Sequence, residues 1–191
     1  MNNFNPSIST TSAVSMNKVL RNTYLLLSFT LLFSALTAGI SMMLHVSHVV
    51  SIVCSFAAMG LIWFVLPRTA NSSAGIGVVF AITGLLGFGL GPILNHYLAL
   101  SNGPQLIATS LGGTGVIFLA LSGYVLTTKR DFSFMGGFLV VGLVIAVLAM
   151  VANIFLQIPA LSLALSSAII LIMSGFILFD TSRIINGGET N

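Results

Sequence analysis

Three long stretches of this chain, residues 22–67, 69–128 and 132–179, contain no Lys, Arg, Asp or Glu. The hydrocarbon core of a bilayer is about 30 Å thick and takes roughly 20 helical residues to cross. Each stretch is long enough for two spans joined by a tight turn, and three such hairpins give six transmembrane helices. The charges bounding them are Lys18 and Arg21, Arg68, Lys129-Arg130-Asp131, and Asp180 with Arg183. Basic residues resist translocation and stay cytoplasmic. With the N-terminus inside, all six Lys and Arg residues fall on that one side. The expected fold is an all-α polytopic bundle with a cytoplasmic N-terminus.

A chain 57% hydrophobic and 5% charged is not a soluble globular domain, in which about a quarter of residues carry charge. The net charge of +3 comes from scattered membrane-flanking cations, with no basic patch interleaved with aromatics. Nucleic acid is therefore not an expected partner; the lipid bilayer is. Cys54 is the single cysteine and lies in an apolar run, which excludes an intrachain disulfide. The first 15 residues are polar and lack the basic start and short apolar core of a cleavable signal.

The expected organisation is a polar tail over 1–16 and a six-helix bundle over 17–191. The spans read as 24–44, 49–66, 75–98, 105–126, 134–156 and 161–180, with Pro67–Ala74 and Thr127–Ser133 as inner gaps. Tyr24, Trp63, Tyr97 and Tyr124 fall near span ends, where a ring with a polar tip prefers the headgroup level.

Gly87 and Gly91 are four apart and share a face of the third helix. Small residues at that spacing let helix backbones approach closely in a medium where hydrophobic expulsion cannot drive association. Pro92 follows and removes a backbone donor, so a kink is expected there, for packing or for gating. Asn153 and Gln157 are placed to hydrogen-bond across helices near the outer end of the fifth span. His45 and His48 read as turn residues; two imidazoles without a third ligand make no metal site.

Asp180 closes the apolar run from Leu161 to Phe179. It reads either as an interfacial carboxylate in water beside Arg183, or as a carboxylate facing the bundle interior that binds a cation or proton. Arg68, at the same end of its own span, is its candidate partner. No His-Glu-x-x-His, Walker loop or Gly-x-Ser-x-Gly elbow occurs, so neither catalytic residues nor a cofactor or metal is expected.

Several runs occur together: Asn17-Lys-Val-Leu-Arg21-Asn-Thr-Tyr24, Gly87-Phe-Gly-Leu-Gly-Pro-Ile-Leu94-Asn95, Gly123-Tyr-Val-Leu-Thr-Thr128, Met150-Val-Ala-Asn-Ile-Phe-Leu-Gln157, and Asp180-Thr-Ser-Arg-Ile-Ile-Asn186 onward. In this the chain resembles the Bax inhibitor-1 family from Asn17 to its last residue, and within it the bacterial branch that modulates the membrane-bound protease FtsH. The resemblance implies a seven-span inner-membrane protein that associates with FtsH and its membrane partners. Elsewhere in the family it implies a pH-sensitive calcium leak, dependent on one aspartate in the sixth helix and one in the seventh. Asp180 matches the first. The chain ends at Asn191, where the family begins its seventh span.

The topology is testable. With Cys54 replaced, single cysteines at positions 11 and 128 should label from the cytoplasm, and those at 47 and 102 from outside. External labelling at position 128 would overturn the six-span count.

Overall fold

The computed structural model describes residues 7–186, with side chains from Val19 onward. Seven α-helices follow in order: α1 (Ser7–Met43), α2 (His48–Gly60), α3 (Leu66–Thr69), α4 (Ser73–Leu98), α5 (Gly103–Thr128), α6 (Gly136–Leu156) and α7 (Pro159–Ile185). A π-helical turn, Leu61–Val65, joins α2 to α3, and a 3-10 turn, Ser133–Met135, leads into α6. Six segments are long and apolar enough to cross a membrane: Val19–Met43, His48–Thr69, Ser73–Leu98, Gly103–Thr128, Ser133–Leu156 and Pro159–Ile185. With no water in the hydrocarbon, a helix is the one local structure that pairs every backbone group within its own segment.

Three boundaries depart from expectation. Pro67 does not end the second span. It sits in the first turn of α3, where its missing N–H is tolerated, and the π turn before it carries the helix through, with the Leu66 amide bonding back to the Leu61 carbonyl. The sixth span does not stop at Asp180 but continues to Ile185, because Thr181, Ser182 and Ile185 are buried and hold the last turn in place. Within the expected tail of residues 1–16, α1 is helical from Ser7; residues 1–6 lie outside the described ones.

The chain forms two compact units. The first, Arg21–Leu111, contains the membrane part of α1, then α2 to α4 and the start of α5. In it α2 packs along α4. Glycines on α4 make its close contacts possible. A methyl group on Gly87 would collide with the Ser34 carbonyl oxygen, and one on Gly91 with the Ser41 hydroxyl, both on α1. A methyl on Gly84 would come within 2.7 Å of the Phe33 ring, which itself packs edge-on against Phe80 at 5.6 Å. On α2, Cys54 is buried against Gly89, 3.6 Å from where a Cβ would be.

The second unit runs from Gly112 onward and pairs α6 with α7. Here a methyl on Gly136 would stand 2.7 Å from the Phe179 ring, and one on Gly175 would strike Leu139. Gly112, Gly113 and Gly115 on α5 differ, since a Cβ on any of them meets nothing within 4 Å.

This contrast predicts opposite outcomes for one substitution. Gly87→Ala forces α1 and α4 apart and should cost about 1–3 kcal/mol in reversible unfolding in mixed detergent. Gly112→Ala enters open space and should be neutral or stabilising. Equal effects at the two positions would contradict the packing described.

Candidate functional site

The residues singled out from the sequence fall into separate places. Gly87, Gly91 and Pro92 are all buried on α4. The helix runs on without interruption through Pro92. Because Pro92 cannot donate to the Phe88 carbonyl, this stretch of backbone is one bond short. One residue on, the Ser51 hydroxyl of α2 donates to the Gly89 carbonyl. Near the C-terminal end of the same helix, Asn95 donates from Nδ2 to the Met42 carbonyl at 3.0 Å and so ties α4 to the last turn of α1. Between these ties the Ser41 hydroxyl is wholly enclosed against Gly91, with no hydrogen-bond partner among the described residues. An enclosed donor of that kind costs about 1–3 kcal/mol.

Asn153 lies at the turn between α6 and α7. Its Oδ1 accepts from the Ile158 amide at 3.2 Å, and its Nδ2 donates to the Ser162 hydroxyl at 2.7 Å. Gln157 occupies the left-handed position that ends α6 (φ 50°). These residues line an open groove of about 620 Å³ with Pro159, Ser162 and Ser166. His45, left-handed (φ 47°), is exposed in the turn between α1 and α2, and His48 is exposed at the first position of α2.

Arg68 belongs to the first unit, where its Nη1 donates to the Phe64 carbonyl at 3.0 Å. Asp180 belongs to the second and is exposed. Arg183, one turn further along α7, lies with its guanidinium 5.5 Å from the Phe179 ring centroid.

Two residues beyond Asp180 lies a buried serine with four hydrogen-bond partners, and sequence reasoning passed over it. Ser182 has no exposed surface. Its Oγ accepts from the Phe132 amide at 2.8 Å and from Asn186 Nδ2 at 3.2 Å. Its single proton faces the Arg130 carbonyl and Asp131 Oδ1, each at 3.4 Å. One hydroxyl thus clamps the loop after α5 onto the end of α7. Asp131 Oδ1 also accepts from the Ser133 amide at 2.8 Å, closing an Asx-type turn at the entry to the 3-10 segment. Phe132 packs its ring 6.3 Å from Tyr124. No local signal marks Ser182, because its partners lie about 50 residues away; its place in the Asp-Thr-Ser-Arg run was the one hint available.

The clamp fixes an unusual backbone. α5 ends on Lys129 in the left-handed region (φ 51°), its amide bonded to the Val125 carbonyl at 2.8 Å. Glycine is the usual residue at such a position, and a side chain there costs roughly 1–2 kcal/mol.

Hydrogen bonds from the Ser133 hydroxyl and amide hold the Asp131 carboxyl below its ordinary value of 3.8, against an opposing effect of burial, with the smallest contribution coming from the Ser182 hydroxyl. A depressed folded-state value means that the unfolded chain takes up this proton first. The stabilising contribution is therefore complete well above 3.8 and fades as pH falls through the lower, folded value.

Six apolar spans, small-residue seams and membrane-edge polar ties define a multi-pass helical membrane protein. Its family follows from comparison with known proteins. The family model described as Inhibitor of apoptosis-promoting Bax1 matches residues 16–191, and the chain belongs to that family. Among its relatives is the Modulator of FtsH protease YccA of Escherichia coli K12, 54% identical over 95% of this chain and 82% of the relative. The Escherichia coli O6:H1 counterpart, named Inner membrane protein YccA, matches to the same extent. An uncharacterized membrane protein of Vibrio cholerae is 50% identical over 98% of this chain and 84% of its own length. No solved structure matches. With these relatives and these spans, the chain is a protein of the bacterial inner membrane.

Ser182→Ala should leave the Phe132 amide without its partner and lower stability by about 1–3 kcal/mol. It should also weaken the loss of stability on the acid side of 3.8, as should Asp131→Asn. Unfolding curves across that range that match the parent chain would remove the clamp from the account.

Proposed function

We propose that this chain modulates the membrane-bound ATP-dependent protease FtsH, as an interaction protein and not as a catalyst. What supports this most is the 54% identity, spread over 95% of the chain, to a relative named for that role. The architecture is compatible with it. The spans expose large apolar side chains such as Phe29, Leu36, Phe56 and Phe155, surfaces suited to lipid or to another membrane protein's helices. The polar N-terminal residues can be engaged by a cytoplasmic protease without first extracting a span.

Two measurements test the proposal. The full chain, expressed with FtsH, should co-purify with it and lengthen the lifetime of a membrane substrate of the protease. Deleting residues 2–15 should prolong the chain's own half-life in cells containing FtsH while insertion remains normal. Absence of co-purification together with unchanged substrate turnover would refute the modulator reading; an unchanged half-life would remove the tail as a handle.

A second reading is ion or proton sensing at Asp180, with calcium as the transported ion. Its support is that Asp180 is the one acid inside a span among the described residues. On this reading Asp180→Asn should abolish pH-dependent calcium flux in reconstituted vesicles. Flux that persists in Asp180→Asn would exclude it.

A further inference from the structure

The loop held by Ser182 carries two neighbouring cations, Lys129 and Arg130, and both are exposed. By chain order it lies on the side of the membrane that bears every other Lys and Arg, because an even number of spans separates it from each. The acid next to the pair is turned to another use. The Asp131 carboxylate is taken up by the Ser133 amide and the Ser182 hydroxyl, and no cation contributes to holding it ionised. The neighbouring hydroxyls are also spent. Thr127 and Thr128 both donate back to carbonyls of their own helix, at Gly123 and Tyr124. Lys129 and Arg130 are left as the donors this helix end offers outward.

Two further features distinguish the pair from ordinary topology anchors. Lys129 is held in the left-handed region, where glycine fits without strain, so here the charge is kept at a conformational cost. The loop continues into Phe134, which is 81% exposed at the start of the next span, an apolar ring at headgroup depth beside the charges. Two exposed cations on a backbone held by Ser182, flanked by an aromatic at a span end, complement a lipid phosphate rather than a soluble acidic protein. We propose that Lys129 and Arg130, positioned by the Ser182 clamp, bind the phosphate of an anionic phospholipid headgroup.

The test uses the full chain reconstituted in phosphatidylethanolamine vesicles. Electron paramagnetic resonance compares its association with spin-labelled phosphatidylglycerol and with spin-labelled phosphatidylcholine. The parent chain should select the anionic lipid. Lys129→Gly with Arg130→Gln should lower that selectivity by roughly fivefold or more, given the usual contribution of a juxtamembrane cation. Lys129→Gly alone should lose part of the selectivity while its melting temperature holds or rises, a split that a purely structural lysine would not produce. Lys129→Arg with Arg130→Lys should keep the selectivity, and Ser182→Ala should lose part of it with no change in charge.

Undiminished selectivity in the double-neutralised chain would overturn the proposal. So would an equal loss on Arg68→Gln, which would make the effect one of diffuse surface charge. Full selectivity in a folded Ser182→Ala chain would reduce the pair to two mobile charges and overturn the clamped site. Displacement of the lipid by millimolar inorganic phosphate would assign the loop to a soluble anion instead.

Discussion

In a bilayer, water is absent from both sides of the folding balance that governs soluble proteins. Backbone groups must pair within the chain, and lipid tails are as apolar as the side chains they meet. Helices therefore form first as a matter of backbone chemistry, and whatever holds them together must come from close packing and from hydrogen bonds. In this protein the close packing rests on glycines. Gly87 and Gly91 bring the backbone of α4 against Ser34 and Ser41 of α1, and Gly136 and Gly175 do the same for Phe179 and Leu139 across α6 and α7. The polar ties cluster at the ends of the spans, where Asn95, Asn153 and Ser182 each bond to a neighbouring helix or turn.

Ser182 shows why the ends carry so much. A hydroxyl can accept and donate at once, so one buried atom serves a loop amide, a loop carbonyl, a carboxylate and a side-chain amide. The loop between α5 and α6 gains a defined shape without a large core of its own. Asp131 Oδ1 is occupied by the Ser133 amide and the Ser182 hydroxyl, neutral donors that hold its carboxyl below its ordinary value. A short polar segment thus carries two exposed cations, Lys129 and Arg130, between two spans.

Much of the fold was legible in charge distribution alone. The three uncharged stretches correspond to the six spans. The expected gap from Pro67 opens only after Thr69, because a π turn and a first-turn position absorb the proline. The glycines of α5 look in sequence much like those of α4, yet Gly112, Gly113 and Gly115 face open space. Composition records that a residue is small, not which surface lies opposite it.

Charge spacing and hydropathy alone specify six helices long and apolar enough to cross a membrane. The reason is that the cost of leaving backbone groups or charges in hydrocarbon is local, and so can be read residue by residue. Its family was legible too, in runs of a dozen residues or fewer. Long-range packing settles which glycines carry helix contacts, that α7 continues past Asp180 to Ile185, and that Ser182 holds the Lys129-Arg130 loop. Those depend on pairs of residues about 50 positions apart, brought together by packing that leaves no periodic trace in either partner's own segment.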